Sequence, residues 1–313
     1  MNKTSSTLYF LAGVTSSGKT QLALEWAEAN GADILSCDSI ALYKGMNIGS
    51  AKPSAAEQAR VRHHGLDLSE VSQRFDVSKY LNYAKNIITN AYLKGSKILV
   101  VGGSGFYLRS FFSAVVDEVS VSDEIKERVD LLYREDGLDG LLEKLKKLNP
   151  LGLGELDQAN PVRAIKSLER CLSTGLTLQE LQREFEKKPT PYSEFQKKTC
   201  LLDRDHKELL ELIKSRTEWM LSNGLIEEVE ELIKLGLMQN YPASSAVGYR
   251  ETLAYLRGEI KRDNLADAIQ VSTRQLASKQ RKWFRKYYDH DQLLIPVHGK
   301  GISLSELVWR SDT

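Results

Sequence analysis

The first hundred residues alternate short apolar runs with longer amphipathic segments. The runs Leu8–Ala12, Ala32–Cys37 and Lys97–Val101 are typical of buried strands, whereas Gln21–Asn30 and Val77–Leu93 carry apolar residues at helical spacing. Strands and helices in alternation predict an α/β fold with a parallel sheet and helices on both faces. Ligands of such sheets bind beyond the carboxyl ends of the strands, so the residues after each strand are the first candidates for chemistry.

The alternation of predicted strands and helices ends near residue 118. Asp123–Leu148 and Pro161–Glu186 have helical spacing, no strand is evident in this region, and amphipathic helices continue toward the end of the chain. We therefore predict that residues 1–117 and 200–313 form the α/β core and that residues 118–199 form a helical insertion domain.

Net charge, cysteine spacing and the length of apolar segments limit which classes of protein this chain can belong to. The 313 residues include 43 Lys and Arg against 42 Asp and Glu, so any surface for nucleic acid must come from local clustering rather than from the net charge of +1. Cys37, Cys171 and Cys200 lie far apart at no metal-ligand spacing, which indicates a reducing compartment and offers neither a zinc site nor a disulfide framework. No segment reaches membrane-spanning length and the N-terminal apolar run lacks a cleavage site, so we expect a cytoplasmic protein that does not bind membranes.

The first strand leads into a phosphate-binding loop that opens a helix. Backbone N–H groups of such a loop converge on an anion, Lys19 adds a positive charge, and the Thr20 hydroxyl can hold Mg²⁺ beside the phosphates. A chance glycine-rich turn is the alternative, and the order of strand, loop and helix argues against it. The predicted diphosphate-binding residues are Gly13, Val14, Thr15, Ser16, Ser17, Gly18, Lys19 and Thr20, with Thr20 as the metal ligand.

The second and third strands also end in candidate chemistry. Asp38, followed by Ser39, can bind Mg²⁺ through water or accept a proton, although a carboxylate here can equally cap a turn. The third strand ends at Gly102–Tyr107, where glycines permit close approach of a ligand and Ser104 offers a hydroxyl, but a tight turn would use the same residues. A nucleotide hydrolase usually carries an acidic residue at this strand end, where this chain has glycine.

Longer strings of residues resemble the tRNA dimethylallyltransferases over about residues 8 to 286. These strings are Gly13–Thr20, Asp38-Ser39, Met46–Pro53, His63-His64 with Asp67, Gly102–Leu108, Pro161–Glu169, Gly248-Tyr249, Thr273–Gln280 and Trp283–Arg285. The chain also lacks the Cys/His pattern of the zinc finger found at the C-terminus of eukaryotic relatives, which favours a bacterial-type member.

The resemblance implies transfer of a dimethylallyl group from dimethylallyl diphosphate to N6 of adenine 37 in tRNA, with Mg²⁺ as cofactor. Catalysis then depends on stabilising the charge that develops on the leaving diphosphate, and the resemblance adds Arg216 as a second cation beside Lys19. Taken alone, Arg216 would more often be a solvated charge on a helix. Asp38 becomes the acceptor of the N6 proton, and Ser104 matches a family threonine that positions the reacting groups.

A stacked adenine must be extruded before its N6 can react, which requires a surface that grips RNA. Within a long helix predicted at about Leu265–Tyr288, the segment Arg274–Lys286 has six basic residues, no acidic residue, and an interleaved Trp283-Phe284 pair. Such a helix can also simply expose its basic face and bury its aromatic side chains. By the resemblance, the insertion domain clasps the anticodon stem of the tRNA, and we expect the protein to act as a monomer. The predicted tRNA-binding residues are Asp38, Ser39, Ile40, Ala41, Ser104, Lys126, Val162, Arg163, Lys166, Arg274, Lys279 and Arg281.

The chain departs from the family pattern at several positions. They are Val14, Ala41, Ser104, Asp157 and Ser245, of which Ala41 and Ser245 bear on recognition of the base.

Two other functions share the phosphate loop and an Asp38 base: a prenyltransferase acting on free adenine nucleotides, and a nucleotide or small-molecule kinase that consumes ATP. The first has little use for a helical insertion, and the second requires an arginine-rich lid.

Overall fold

The computed structural model describes residues 7–115 and 119–309, and these residues divide into two compact units. One unit comprises the chain up to Phe112 and from Tyr192 onward, and the other comprises Ser113–Pro191. The division lies near the predicted insertion of residues 118–199, although residues 116–118, where we predicted its start, lie outside the described residues. At the other end, the predicted boundary at residue 199 falls inside a strand of the first unit.

Six parallel strands form one sheet among the described residues of the first unit. They are β1 (Thr7–Gly13), β2 (Ala32–Ser36), β3 (His63–His64), β4 (Lys97–Gly102), β5 (Gln196–Leu202) and β6 (Gln292–Leu294). Their order across the sheet is β3-β2-β4-β1-β5-β6. The predicted α/β fold is thus confirmed, whereas β3, β5 and β6 were not predicted.

The helices lie between and after these strands. They are α1 (Lys19–Asn30), α2 (Ala55–Arg60), α3 (Val77–Lys94), α4 (Gly105–Arg109), α5 (Asp123–Leu148), α6 (Pro161–Thr174), α7 (Leu178–Glu186), α8 (His206–Ser222), α9 (Leu225–Lys234), α10 (Tyr241–Ser244), α11 (Tyr249–Leu256) and α12 (Arg262–Tyr287), with 3₁₀ turns at Leu237–Gln239 and Leu304–Glu306. None of the helices in the described parts of the chain is both long and apolar enough to cross a membrane.

Register places the ends of the central strands at one edge of the sheet. Gly13 at the end of β1 pairs with Leu202 of β5, Ala12 pairs with Gly102 of β4, and Ser36 of β2 pairs with Val101. The central strands are buried because helices cover both faces, which is why their sequences are nearly continuous apolar runs. The loops that follow β1, β2 and β4 therefore emerge side by side.

The second unit packs α5, α6 and α7 around its own apolar core, which includes Val129, Leu141 and Leu168. We predicted one helix over Pro161–Glu186, and the structure instead ends α6 at Gly175, which has a φ of 71°. A new helix, α7, then begins at Leu178. The side chain of Thr177, just before it, accepts a hydrogen bond from the Glu180 N–H, while the Glu180 carboxylate accepts one from the Thr177 N–H. A left-handed glycine followed by a capping box is a strong stop and restart signal, which the apolar periodicity alone does not show.

Candidate active site

The loops after β1, β2 and β4 surround a cavity of about 910 Å³ together with parts of α8 and α12. The predicted site residues that line it are Thr15, Ser16, Ser17, Gly18, Lys19, Thr20, Asp38, Ser39, Ile40, Ala41, Ser104, Arg216 and Lys279. Gly13 and Val14 lie behind this lining, where Gly13 ends β1 and Val14 is buried. Residues predicted from three separate strand ends thus meet at one place.

The phosphate loop has a fixed shape. Ser16 has a φ of 60° and Gly18 a φ of 95°, so the chain turns twice through the left-handed region. The Val14 carbonyl accepts hydrogen bonds from the Ser17 hydroxyl at 2.9 Å and from the Lys19 ammonium at 2.6 Å. The buried Ser16 Oγ has no hydrogen-bond partner within the part of the chain that the structure describes. A strained residue with an unpartnered hydroxyl suits a loop built to receive an anion's oxygen atoms.

Charges in the cavity make it attractive to an anion. Burial and, to a smaller extent, the nearby Arg216 cation lower the pKa of Lys19 to about 8, although Asp38 and Asp203 act in the opposite direction. A bound diphosphate would remove much of this penalty because its negative charge stabilises the protonated ammonium. Three cationic side chains, Lys19, Arg216 and Lys279, therefore line the cavity together with one carboxylate, Asp38, among the residues that the structure describes.

Asp38 lies in a turn that fixes its carboxylate. Its Oδ1 accepts hydrogen bonds from the backbone N–H groups of Ile40 at 2.8 Å and Ala41 at 3.2 Å. The turn-capping role that the sequence left open is therefore real, and both of these bonds use the same oxygen. The Ser104 hydroxyl accepts a hydrogen bond from the Ser39 N–H at 3.2 Å, which ties the β4 loop to the β2 loop.

Arg216 lines the cavity from α8 rather than extending into solvent. Its Nη2 lies 3.5 Å from the Ser50 carbonyl oxygen, which is a long contact that still sets its direction. Burial lowers the pKa of Arg216 and Asp38 raises it. An arginine keeps its proton despite such burial, so the guanidinium brings a full positive charge to the cavity wall.

The oxygen donors in the cavity fit a magnesium ion that is also held by its substrate. Thr20 offers a hydroxyl and Asp38 a carboxylate, and oxygen ligands of this kind are those that Mg²⁺ prefers. Over residues 7–115 and 119–309, no group of three or more His, Cys, Asp or Glu side chains is arranged to hold a metal. An ion here would therefore need phosphate oxygens to complete its coordination.

Two residues that support the phosphate loop were not predicted. Gln280 of α12 accepts a hydrogen bond from the Thr15 N–H at 2.8 Å and donates one to the Gly103 carbonyl at 3.0 Å, so it joins the loops after β1 and β4. Arg204 donates from Nε to the Ser17 carbonyl at 3.0 Å and is itself paired with Glu208 at 2.8 Å. The one hint in the sequence is that Gln280 is an uncharged polar residue inside a strongly basic segment.

The remaining predicted residues of the first unit have different surroundings. Arg274 and Lys279 are exposed on α12, as a role in RNA binding requires. Arg281 instead forms a two-pronged ion pair with Asp203, with nitrogen–oxygen distances of 2.8 to 3.0 Å, and donates to the Arg204 carbonyl. Its guanidinium is thus engaged in holding α12 to the end of β5. Trp283 packs where a Cβ on Gly105 would collide with its ring, at 2.4 Å.

The predicted contacts of the insertion lie on the surface of the second unit. Lys126 pairs with Asp123 at 2.8 Å, and Lys166 pairs with Glu169 at 2.7 Å. Val162 and Arg163, in the first turn of α6, are exposed. The Lys126–Asp123 pair is exposed and contributes little to stability, so Lys126 can exchange its partner for a phosphate at low cost. The Glu169 carboxylate that pairs with Lys166 is buried instead, so a phosphate would have to compete with that pair for Lys166.

The chain is similar in sequence and in fold to known proteins. Residues 41–287 match the model of the family described as IPP transferase. The tRNA dimethylallyltransferase of Opitutus terrae is 45% identical over 278 residues, which is 89% of either chain. The crystal structure of the tRNA delta(2)-isopentenylpyrophosphate transferase from Staphylococcus epidermidis has a similar fold, with a TM-score of 0.67 at 24% identity and 96% coverage of both chains. A eukaryotic dimethylallyltransferase acting on tRNA aligns with a TM-score of 0.79 at 22% identity, over 93% of this chain and 74% of that one.

Proposed function

The chain belongs to the IPP transferase family, and we propose that it transfers the dimethylallyl group of dimethylallyl diphosphate to N6 of adenine 37 in tRNA. The observation that carries this proposal is the meeting of two cations and one carboxylate, Lys19, Arg216 and Asp38, around a single cavity. That set suits a reaction in which an anion leaves and a proton is removed. A kinase would share the phosphate loop, but the family relationship and the named relatives favour prenyl transfer.

Departure of diphosphate is the step that the phosphate loop serves. As the bond between C1 of the dimethylallyl group and oxygen breaks, negative charge accumulates on the diphosphate. Lys19, Arg216 and the N–H groups of the loop can stabilise that charge without reorganising, because the loop is already fixed by its own hydrogen bonds. The orphaned Ser16 hydroxyl can donate to a further oxygen.

Attack by adenine N6 requires removal of a proton. The exocyclic amine is a weak nucleophile, and it must lose one proton as its bond to C1 forms. Asp38 is the group in the cavity best suited to accept that proton, since its carboxylate lines the cavity and its turn holds it in place. Ser104 and Ser39, linked to one another, would position the amine.

We propose that Mg²⁺ binds with the diphosphate at Thr20, where it would neutralise phosphate charge. Thr20→Ala should raise the Mg²⁺ concentration for half-maximal turnover about tenfold or more, since metal sites typically lose 10–100-fold in affinity when a supporting group is removed. The measurement is a Mg²⁺ titration of turnover at saturating tRNA and donor. An unchanged titration curve, with unchanged maximal rate, would remove Thr20 from the metal site.

We further propose that the anticodon stem-loop of tRNA is the macromolecular partner. In the first unit the exposed basic residues of α12 support RNA binding, and in the second unit the exposed residues of α6 do so separately. Arg281 contributes by holding α12 in place rather than by direct contact. We also propose that the protein acts as a monomer. Free, buried cysteines at positions 37, 171 and 200 fit the cytoplasm.

The function is tested by comparing acceptors with labelled dimethylallyl diphosphate. We expect kcat/KM for an anticodon stem-loop to exceed that for AMP by at least about 100-fold, because AMP makes no stem contacts and these contacts should contribute more than the few kcal/mol that extruding adenine costs. Equal values for the two acceptors would favour a free-nucleotide prenyltransferase. Transfer of phosphate from ATP in place of dimethylallyl transfer would favour the kinase.

A further inference from the structure

One carboxylate outside the cavity holds three consecutive backbone N–H groups. Glu228 of α9 accepts hydrogen bonds from the N–H groups of Asn47 at 3.0 Å, Ile48 at 2.7 Å and Gly49 at 3.1 Å. Hydrogen bonds to an ionised acceptor are about twice as strong as neutral ones. The turn after Met46 therefore owes its shape to a side chain about 180 residues away in the sequence.

Tyr249 completes this arrangement from α11. Its hydroxyl donates to Glu228 at 2.8 Å, and burial keeps the pKa of the phenol well above its ordinary value, so it remains a donor. Its ring fills the space beside Gly49, where an added Cβ would lie 2.6 Å from ring atoms. Glu228 and Tyr249 thus fix the same turn by hydrogen bonding and by packing.

This turn carries the acceptor that Arg216 faces. Gly49 and Ser50 line the cavity, and the Ser50 carbonyl is the group 3.5 Å from the Arg216 guanidinium. The Ser50 hydroxyl donates to the Met46 carbonyl at 2.6 Å, so Ser50 moves with the turn. A shift of the turn would therefore move the carbonyl that directs Arg216.

We propose that Glu228 is a positioning residue that directs Arg216 toward the diphosphate through the turn Asn47–Ser50. The inference rests on the proposed function only in taking the cavity as a diphosphate site. Glu228 does not line the cavity, so its effect must pass through the turn. A role confined to folding would lower thermal stability and leave diphosphate binding by the folded protein unchanged.

Glu228→Gln is the direct test, because glutamine keeps the size of the side chain but presents an N–H₂ group to donors that need an acceptor. The dissociation constant for inorganic diphosphate with Mg²⁺, measured by calorimetry, should rise at least about fivefold, since leaving such donors unsatisfied disturbs the turn. The kcat/KM for dimethylallyl diphosphate should fall at least about tenfold, while KM for tRNA stays within about twofold. Diphosphate binding needs no transfer reaction, so this readout stands even if the proposed function fails.

Glu231→Gln on the same helix is the matched control, because Glu231 is exposed and pairs with Lys234 in the same helix. Its diphosphate affinity and turnover should equal those of the unmodified protein. If Glu228→Gln does not fold, Tyr249→Phe removes one donor to Glu228 and keeps the ring, and it should weaken diphosphate binding in the same direction by a smaller factor.

Whether the effect of Glu228→Gln on diphosphate affinity depends on Arg216 distinguishes positioning of Arg216 from a general disturbance of the fold. In an Arg216→Gln background, Glu228→Gln should change diphosphate affinity by less than about twofold, because the group that it directs is already gone. Effects that multiply in the double variant, or Glu228→Gln and Tyr249→Phe variants that bind diphosphate normally, would overturn the proposal.

Discussion

Replacement of Lys19 by alanine should slow transfer by more than about 100-fold at saturating tRNA and donor, since removal of a single stabilising donor from developing negative charge typically costs 10²–10³-fold. The ammonium lies against the Val14 carbonyl at the centre of the loop, so a diphosphate seated there would have it as an immediate neighbour. Burial and the nearby Arg216 cation lower its pKa to about 8, and the negative charge of a leaving diphosphate would favour the protonated ammonium.

The measurement for Lys19→Ala is single-turnover dimethylallyl transfer to a stem-loop. Lys214→Ala provides a matched control, because Lys214 is an exposed lysine on α8, the helix that carries Arg216. The Lys214 ammonium lies 4.0 Å from the Glu218 carboxylate, which is a weak contact. The Lys214→Ala variant should react at the rate of the unmodified protein. Near-normal turnover by Lys19→Ala at saturating donor would mean that the diphosphate does not bind at this loop.

Asp38→Asn should lose most turnover, by about 10² to 10⁴-fold, because an amide cannot accept the N6 proton. The turn should survive the change, since an asparagine oxygen can accept the same hydrogen bonds from Ile40 and Ala41. Affinity for tRNA should therefore remain within a few fold of the unmodified protein. Turnover rates and tRNA dissociation constants measured on the same preparation separate a proton acceptor from a residue that only binds.

Loss of turnover in Asp38→Asn that comes with equal loss of tRNA binding would assign Asp38 to recognition of the adenine. Turnover within tenfold of the unmodified protein would have the same meaning, with the proton passing directly to water. Thermal unfolding of the variant serves as the control for an intact turn.

The strands show what the sequence reveals of the fold. β1, β2 and β4 were predicted because buried parallel strands are short apolar runs. β5 was missed because it starts with Gln196, Lys197 and Lys198, which have no apolar pattern, and it is a strand because it pairs with β1 along its whole length. The two-residue β3 and three-residue β6 are likewise defined by their neighbours rather than by their own sequences.

The residues of the candidate site likewise divide into those that the local sequence predicts and those that only distant contacts define. The phosphate loop, Asp38 and Ser104 were found because each follows a strand directly, so local order predicts their position. Gln280, Arg204 and Glu228 act on loops 265, 187 and about 180 residues away, and nothing in their own neighbourhoods marks those partners. Arg281 shows a related limit, since its basic surroundings predict RNA binding but do not reveal the ion pair that its guanidinium forms with Asp203.

The face that α12 turns toward the cavity limits how this protein can vary over evolution. Ile269, Thr273, Leu276, Gln280 and Trp283 line the cavity at intervals of four, three, four and three residues. One inserted or deleted residue within that stretch would rotate everything after it by about 100°, given 3.6 residues per turn. Gln280 would then leave the phosphate loop and Trp283 would leave Gly105 in a single step. Changes of length should accumulate in surface loops, whereas α12 should change by substitution alone.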